Sequence, residues 1–278
     1  MRIKGNPLFF NRPIGNQNMF GKKTLLILFL STSIQAAASN SISDSFPGWS
    51  AGLIYATGPS PFVGNTEIES QALPLIGYSG DRLTWLGPHL SYRLNDEGLF
   101  STRVVAELRF TGLNPTPNDP LLSGLTERQS AIEIGFDVGM GPITFSGRQD
   151  ISDKHNSSWI GVAVGNEWAL AEGIMLEASV NGEWQHKDFT RYYYGVEASE
   201  ATSTRPSYTP GSGVNVGADI QLSLMLTSRA SFFVGFDYTA FDSAITNSPI
   251  VGDDSQYTAF AGFIYHLSNR NGQRSTSD

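Results

Sequence analysis

Apolar side chains occupy every second position from Val214 to Leu226. Asp219 and Gln221 lie among the intervening positions, on the opposite face. A two-residue period is that of a β-strand, because successive side chains of a strand point to opposite faces. A strand of this length with polar side chains on one face is typical of an outer-membrane β-barrel, in which one face contacts lipid and the other a polar lumen.

Similar alternation recurs along the chain, and no helical period is sustained. It predicts strands near residues 48–58, 70–79, 82–87, 89–94, 99–110, 130–140, 142–151, 158–170, 173–194, 212–227, 230–241 and 256–267. Short turns alternate with long loops, as expected for a barrel with both termini in the periplasm. The turns and loops alternate correctly only if residues 82–94 form two strands. We expect the break between them near Gly87 and Pro88, because proline cannot donate to a strand ladder. If residues 82–94 formed one bent strand instead, we would expect ten strands rather than twelve.

Charged side chains on the second face leave two fold classes open. These side chains are Arg103, Glu107, Arg109, Glu133, Asp137, Arg148, Asp150, Glu177, Glu183, Asp219 and Asp237. In a soluble β-sandwich or lipocalin-like barrel they would form the solvated surface, whereas in a membrane barrel they would fill the lumen. The pattern alone does not decide, but the strand lengths and the N-terminal segment favour an all-β, antiparallel, up-and-down transmembrane barrel.

The N-terminal segment has the order of a secretory signal peptide. Two lysines precede the apolar run 25–30, and three alanines ending at Ala38 supply a cleavage signal. An uncleaved amphipathic segment is the alternative. The predicted organisation is a signal peptide at 1–38 (with Met19 as an alternative start), a barrel at 39–267 and a flexible tail at 268–278.

Composition narrows the function classes further. The net charge of -8 argues against a nucleic-acid partner. The chain contains no cysteine, which excludes disulfides. None of the four histidines has metal-binding spacing, and no glycine-rich phosphate motif opens a helix, so we expect neither a metal nor a cofactor.

Four short segments carry the motifs of one protein family. They are residues 72–78, with Pro74; residues 193–196, with Tyr194, Gly195 and Val196; residues 247–251, with Ser248 and Pro249; and residues 262–267, with Tyr265. In their order and spacing the chain resembles the MipA/OmpV family, the MltA-interacting proteins of the Gram-negative outer envelope. It departs from the family pattern at Leu267, where family members end in phenylalanine, and in the eleven residues that follow.

The resemblance implies an outer-membrane protein with a scaffolding role, and we expect it to be a monomer without enzymatic activity. Its implied partners are outer-membrane lipid, a lytic murein transglycosylase and a bifunctional penicillin-binding protein. The predicted periplasmic turns are short, so they offer little area against the roughly 1,200–2,000 Å² of a stable interface. Binding would therefore be weak or multivalent. The alternatives are a narrow channel for small polar solutes and an adhesin that binds through its long outer loops.

Charged positions predicted to face the lumen form the main candidate site. They are Arg103, Glu107, Arg109, Glu133, Asp137, Arg148, Glu177, Asp219 and Asp237. The carboxylates would either line a cation-preferring pore or pair with the arginines and fill the interior. Twelve strands lie between the packed eight-stranded barrel and the open sixteen-stranded channel, so size does not decide. We favour the paired, largely occluded interior.

The predicted outer loops offer two further interpretations. His186, near Asp242 and Ser243, would allow a hydrolase site, but no nucleophile elbow accompanies it and a solvated loop histidine is the simpler interpretation. Loops 111–129, 195–211 and 242–255 are predicted to form the recognition surface, with a helical turn at 198–201.

Aromatic side chains cluster near the predicted strand ends. They are Trp49, Trp168, Trp184, Tyr192, Tyr193, Tyr194, Tyr208, Tyr238 and Phe241. A carbohydrate-stacking surface and an interfacial aromatic girdle would both use such side chains. We expect the girdle, because rings of this kind anchor barrels at the membrane interface.

Overall fold

The computed structural model describes residues 47–64, 68–97, 99–110 and 121–267, which form a closed β-barrel. The predicted signal peptide, the tail at 268–278 and loop residues 111–120 lie outside the described residues. The strands are β1 (Gly48–Pro59), β2 (Ile68–Ser79), β3 (Leu83–Leu86), β4 (His89–Glu97), β5 (Phe100–Arg109), β6 (Ala131–Met140), β7 (Ile143–Asp150), β8 (Ser158–Ala171), β9 (Ile174–Gln185), β10 (Gly213–Thr227), β11 (Ala230–Ala240) and β12 (Ser255–His266).

Each strand pairs antiparallel with its neighbours in sequence, and β1 closes the barrel against β12. The prediction of a twelve-stranded, up-and-down barrel is therefore confirmed. Two helices, α1 (Lys187–Tyr194) and α2 (Ser243–Thr246), lie in the connections. Within the part of the chain that the structure describes, no helix is long and apolar enough to cross a membrane.

Along each strand outward-facing apolar side chains alternate with inward-facing side chains, and the inward-facing set is mostly polar outside β1, β2, β11 and β12. On β1, Leu53 is 53% exposed whereas the next residue, Ile54, is 6% exposed. On β6, Phe136 is exposed while its neighbour Asp137 is buried. This inside-out arrangement places apolar side chains where lipid would contact them and charges where the lumen lies.

The two ends of the barrel differ in the length of their connections. One end carries short turns such as the one at Gly141, whose φ of 58° favours glycine, and we call it the turn end. The other end carries the long connections that include α1 and α2, and we call it the loop end. Both ends of the described chain, at β1 and β12, lie at the turn end.

The hairpin of β3 and β4 is shorter than the rest of the wall. The β2–β3 pairing comprises only three residue pairs, from Gly77 with Leu86 to Ser79 with Thr84. The hairpin reverses at Gly87, with a φ of 53°, and Pro88. The predicted break in residues 82–94 is therefore present, and it produces the twelfth strand.

Above this hairpin, no strand of the described chain pairs with the outer edge of β2. The backbone N–H of Gly87 donates to the carbonyl of Ile76 at 2.9 Å, so Ile76 faces that edge. Pro74, two residues earlier, faces the same way because backbone groups alternate along a strand. A proline is tolerated here since its missing N–H would have no ladder partner.

One predicted strand is wrong in extent. The segment 173–194 was predicted as continuous strand, but β9 ends at Gln185 and α1 follows. His186 caps α1 by accepting a hydrogen bond from the backbone N–H of Asp188, which itself lies in the first turn. The three tyrosines at the end of α1 favour strands by propensity, and packing of the helix against the barrel overrides this preference.

The interior has an apolar half and a polar half. Ile54, Leu75, Phe233, Phe260 and Ile264 pack together inside β1, β2, β11 and β12. The rings of Phe233 and Phe260 lie 6.2 Å apart. The polar half, bounded mainly by β5 to β10, contains a cavity and the charged positions other than Asp237, which lies on β11.

Candidate functional site

A cavity of about 770 Å³ occupies the polar half of the lumen. At the turn end it is lined by Pro142 and Glu167, and both side chains are exposed there. At the loop end it reaches Trp159, Tyr194 and Phe241. The cavity therefore begins at the turn end and stops beneath the connections of the loop end.

Glu133 holds the loop end of the lumen together. Its side chain is 0% exposed, and its carboxylate accepts hydrogen bonds from Arg109 Nε at 3.0 Å and Trp159 Nε1 at 2.8 Å. His155 Nε2 lies 3.0 Å from the same carboxylate. The Arg109 guanidinium stands 5.0 Å from the centre of the Trp159 ring and 5.1 Å from that of Phe189. Glu133 thus links the barrel wall to the β7–β8 connection and, through Arg109, to α1.

A second chain of buried polar and charged side chains crosses β4 to β7. Arg148 Nη2 lies 2.9 Å from Asp137, and Arg148 Nε lies 3.5 Å from Glu107. Glu107 in turn lies 3.5 Å from His89. All four side chains are at most 5% exposed. Buried charges of this kind depend on their partners, because removal of one leaves the other desolvated and uncompensated.

The remaining predicted positions lie apart from these ion pairs. Arg103 lines the cavity and is the β5–β6 register partner of Asp137. Glu177 and Asp219 line the opposite side, where Asp219 accepts a hydrogen bond from Ser179 at 2.7 Å. Asp237 is buried on β11. The nine predicted positions therefore comprise five ion-paired side chains and Arg103 on β5 to β7, and three carboxylates on β9 to β11.

A hydrophobic cluster, which we call the cap, covers the loop end. Its buried members are Phe62, Leu122, Leu125, Trp159, Phe189, Tyr193, Tyr194, Val196, Ile245, Ile250 and Val251. They come from the connections after β1, β5, β9 and β11, together with Trp159 on β8. Burial raises the pKa of both Tyr193 and Tyr194 well above the ordinary tyrosine value, so both phenols stay neutral.

A buried ion pair between Arg128 and Glu200, which we call the clamp, joins two of the connections that form the cap. Two hydrogen bonds of 3.1 Å join the guanidinium to the carboxylate, and Arg128 also donates to the Gly195 carbonyl at 3.1 Å. Glu200 accepts from the backbone N–H groups of Thr126 at 2.8 Å and Glu197 at 3.0 Å. Burial would raise the pKa of Glu200, but these hydrogen bonds outweigh it and lower the pKa to about 2.

Two of the family motifs meet inside the cap. The Ser248 hydroxyl donates to the Tyr194 carbonyl at 2.6 Å, and Val196 pairs with Tyr208 in an isolated bridge. A side chain at Gly195 would overlap the Arg191 carbonyl, which explains the glycine. The motif residues Tyr194, Gly195, Val196, Ser248 and Pro249 therefore lie in one structure.

The other two motif positions lie elsewhere. Pro74 lies on the open edge of β2, and Tyr265 points outward from β12 with 41% exposure. They are separate from the cap and from the cavity. Their surroundings suit a structural role in the wall.

Several aromatic side chains depart from the predicted girdle. Trp49, Trp168, Trp184 and Tyr238 point outward as expected. Tyr192, Tyr193, Tyr194, Tyr208 and Phe241 instead pack in or against the cap. The prediction that these five rings join the girdle is wrong, because the loops fold back over the lumen, where Tyr193 and Tyr194 are buried and the other three are partly buried.

His186 does not form the arrangement of a hydrolase. Ser157 Oγ lies 3.2 Å from His186 Nδ1, and an Asp188 oxygen lies 3.3 Å from the same nitrogen. A serine–histidine–acid relay needs the hydroxyl and the carboxylate on opposite ring nitrogens. Ser243 donates to Asp242 rather than to His186. No group of three metal-ligating side chains occurs within the described residues.

The sequence did not single out His155, Arg128, Glu200 or Arg205. Arg205 donates to the carbonyls of Leu121, Ser123 and Glu200 across two connections. Charged residues in loops are usually solvated, so nothing in their spacing marked them as internal clamps. The sequence carried no signal of which loops would fold over the lumen.

Comparison with known proteins agrees with this architecture. The family model described as MltA-interacting protein MipA matches residues 51–267. Outer membrane protein Omp26La of Vibrio anguillarum is 28% identical over 150 residues, and outer membrane protein OmpV of Vibrio cholerae is 26% identical over 152 residues. Each alignment covers 52% of this chain and 58% of the relative, so the match spans little more than half of those proteins.

Among solved structures, the COG4313 outer membrane channel from Pseudomonas putida F1 is 11% identical with a TM-score of 0.45, covering 79% of this chain and 95% of that one. The NanC porin is 8% identical with a TM-score of 0.40, and the match covers 77% of this chain and 100% of that one. The family match extends over most of the chain and over every described strand except the first residues of β1. This chain is an outer-membrane β-barrel and belongs to the MltA-interacting protein MipA family.

Proposed function

We propose that this protein is an outer-membrane anchor whose periplasmic face binds murein-remodelling enzymes, namely a lytic transglycosylase and a penicillin-binding protein. Short turns face the periplasm in outer-membrane barrels, so we assign the turn end to the periplasm. The description of the family as MltA-interacting supports a partner on that side. The proposal includes export by the signal peptide at residues 1–38.

The closed cap is the observation that carries the proposal. Ile245 and Ile250 are 0% exposed, and Tyr194 is 2% exposed. Among the described residues they pack across the outer mouth of the lumen, while the cavity lining reaches exposed positions at the turn end. This arrangement supports a function directed at the periplasm.

The size of the contact sets the expected affinity. The turns at the periplasmic end span only a few residues each, from Gly80 to Arg82 and from Ser228 to Arg229, for example. Such a rim supplies less area than the roughly 1,200–2,000 Å² of a stable interface. We therefore expect weak binding that becomes effective because membrane attachment raises the local concentration.

Site-specific photo-crosslinking in the native envelope tests this proposal. A photoreactive amino acid replaces Asp81 in the β2–β3 turn or Glu172 in the β8–β9 turn, both of which are exposed. The matched control places it at Thr202, which is exposed in an outer connection. We expect the two turn positions to give adducts that mass spectrometry identifies as murein hydrolases or synthases. Adducts of this kind from Thr202 alone, or from none of the positions, would contradict the anchor.

A narrow channel is the second candidate, and the cavity favours it. The cavity extends through much of the polar half of the lumen, and among the described residues the cap lies between it and the outside. In planar bilayers the anchor predicts no conductance steps from the intact protein and steps from a variant with a weakened cap, such as Arg205→Ala. Steady conductance from the intact protein would favour the channel instead.

A further inference from the structure

The stretch of β2 nearest the loop end lacks a neighbouring strand on one side. Only three residue pairs join β2 to β3, and the hairpin then reverses at Gly87. The reversal stays joined to β5, because the backbone N–H of Leu108 donates to the Pro88 carbonyl at 3.0 Å. From Ile76 towards the loop end, no strand of the described chain pairs with this side of β2. We call this side of residues 70–76 the open edge, and it is about 20 Å long.

The open edge presents more hydrogen-bond acceptors than donors. Alternate residues of a strand direct both their N–H and their carbonyl to the same side, so Ala72 and Pro74 face the open edge as Ile76 does. Neither Ala72 nor Pro74 has a backbone partner on this side among the described residues. Proline has no N–H, so these two residues present two carbonyls but one N–H. This imbalance favours a partner that donates hydrogen bonds.

The outward side chains place the open edge inside the hydrocarbon layer. The hydroxyls of Thr57 and Ser70 lie 3.0 Å apart on the exposed surface near the loop end, and they indicate the polar boundary there. Nearer the turn end, Tyr55 is 48% exposed and Ile76 is 50% exposed, so the surface becomes apolar. Within hydrocarbon no water satisfies a free carbonyl, and a polar group of a neighbouring molecule has to do so.

The inner side of the wall is also apolar behind the open edge. Leu75 is buried in the interior cluster that includes Ile54 and Phe260. Leu73 and Leu86 pack against that cluster. An acyl chain that settles along the open edge would therefore contact apolar side chains and none of the ion pairs, which lie on the other side of the lumen.

A second copy of the chain does not fit the open edge. Two copies in one membrane are related by a two-fold axis along the membrane normal. Strands of a barrel tilt by about 35–45° from the barrel axis, so the two open edges would cross at roughly 70–90° and could not form a ladder. A water-soluble strand would have to enter hydrocarbon with its own backbone groups unpaired. Lipid reaches the open edge directly, because the edge is continuous with the lipid-facing surface.

We propose that the open edge binds an outer-leaflet lipid whose acyl chains carry amide and hydroxyl groups close to the headgroup. These groups donate to the carbonyls of Ala72 and Pro74, and the chains lie along the apolar surface beside Ile76. Ester-linked chains bring only acceptors to this depth, so they leave both carbonyls unsatisfied. The lipid site goes beyond the anchor function and does not rest on it.

Photo-crosslinking in vesicles of defined composition tests the lipid site. The vesicles contain phosphatidylethanolamine with equal small amounts of lipid A and cardiolipin. Each of the latter two lipids carries two phosphate groups and several acyl chains, but only lipid A has amide and hydroxyl groups on its chains. A photoreactive amino acid replaces Ala72, which is exposed on the open edge, or Ala218 as the matched control. Ala218 is an exposed alanine on β10, where β9 and β11 pair on both sides.

We expect the ratio of lipid A to cardiolipin adducts to be about fivefold or more higher at position 72 than at position 218, as net hydrogen bonds to the lipid would give. Folding of each variant is checked by its gel migration with and without boiling, and Ile76 serves as a second probe position. Lipid in both leaflets of the vesicle makes the result independent of the direction of insertion.

Three results would overturn the lipid site. The first is an equal adduct ratio at positions 72 and 218, which would mean that the open edge contacts only bulk lipid. The second is an adduct with another segment of the same chain, and the third is an adduct with a second copy. Crosslinking from Asp81 and Glu172 is read out separately at the turn end, so failure of the lipid site is distinguishable from failure of the anchor.

Discussion

Glu200→Gln should loosen the cap without affecting the barrel wall. The substitution keeps the size of the side chain but replaces the carboxylate that Arg128 and two backbone N–H groups contact. An amide accepts fewer of these hydrogen bonds and carries no charge to balance the buried guanidinium. The outer connections should therefore open more often, while the strand pairing stays intact.

The magnitude follows from the pKa of Glu200. The folded protein lowers it from 4.5 to about 2, and this difference corresponds to roughly 3 kcal/mol of stabilisation at neutral pH. Because the folded pKa is the lower one, the stabilisation is complete above about pH 4.5 and is lost as pH falls towards 2. The parent protein should thus lose cap stability only in acid.

Amide hydrogen exchange at Thr126 and Glu197 measures the effect, since both N–H groups donate to Glu200. A loss of roughly 3 kcal/mol corresponds to protection factors lowered by about two orders of magnitude at pH 7. In the parent protein, protection corrected for intrinsic exchange should be constant from pH 7 to pH 5. It should then fall below pH 4.5.

Glu197→Gln is the matched control. Glu197 contacts Arg191 at 3.0 Å, but both side chains are more than half exposed, so the pair contributes little. Exchange at Thr126 should remain unchanged in this variant. Unchanged protection in Glu200→Gln, or an equal loss in Glu197→Gln, would refute the assignment of the clamp to a buried charge pair.

Three further substitutions, the first with a matched control, probe the wall, the ion pairs and the cap. Gly135→Ala should reduce the fraction of protein whose gel migration changes on boiling, because a Cβ there would overlap the Gly147 carbonyl. The control Gly147→Ala should fold normally, because the atom nearest to its new Cβ lies 3.8 Å away. Arg148→Met should lower the free energy of unfolding in urea by about 3–5 kcal/mol, since two buried carboxylates lose their cation, and a change below about 1 kcal/mol would contradict this account. Ile250→Ala should lower the temperature at which trypsin cleaves the outer loops, because the cavity left by this buried side chain costs about 2–5 kcal/mol of stability. An unchanged temperature would mean that the cap does not depend on this side chain.

The barrel could be predicted from the sequence because each strand repeats a two-residue period. Along β10, every second position from Val214 to Leu226 is apolar and lies on one face, so inside and outside follow from parity alone. The break at Gly87 and Pro88 was also visible, since it rests on local backbone chemistry. These features depend on neighbouring residues and therefore appear in the sequence.

The cap could not be predicted in the same way. Its contacts join positions far apart in the chain, such as Ser248 with Tyr194 and Arg128 with Glu200. Their spacing has no period, and charged or aromatic loop residues are ordinarily exposed to solvent. The motifs at 193–196 and 247–251 were recognised as short patterns, but only the fold reveals that they contact each other.

The sequence indicates which charged side chains face the lumen, but not which of them contact each other. Parity placed Glu133 and Asp219 inside the lumen, and both are buried. Parity did not indicate that Glu133 would contact Arg109, His155 and Trp159. It also did not indicate that Asp219 would line a cavity. Which charges meet depends on register and on the side chains that the loops supply.

The short β2–β3 pairing has a consequence for the mechanics of the barrel. Three residue pairs join β2 to β3, whereas eight join β1 to β12, where the ends of the sheet close. The seam between the chain ends is therefore not the weakest part of the wall. Under lateral tension, or when the surrounding bilayer thins, this barrel should part between β2 and β3, and the open edge that carries Pro74 would then extend along β2.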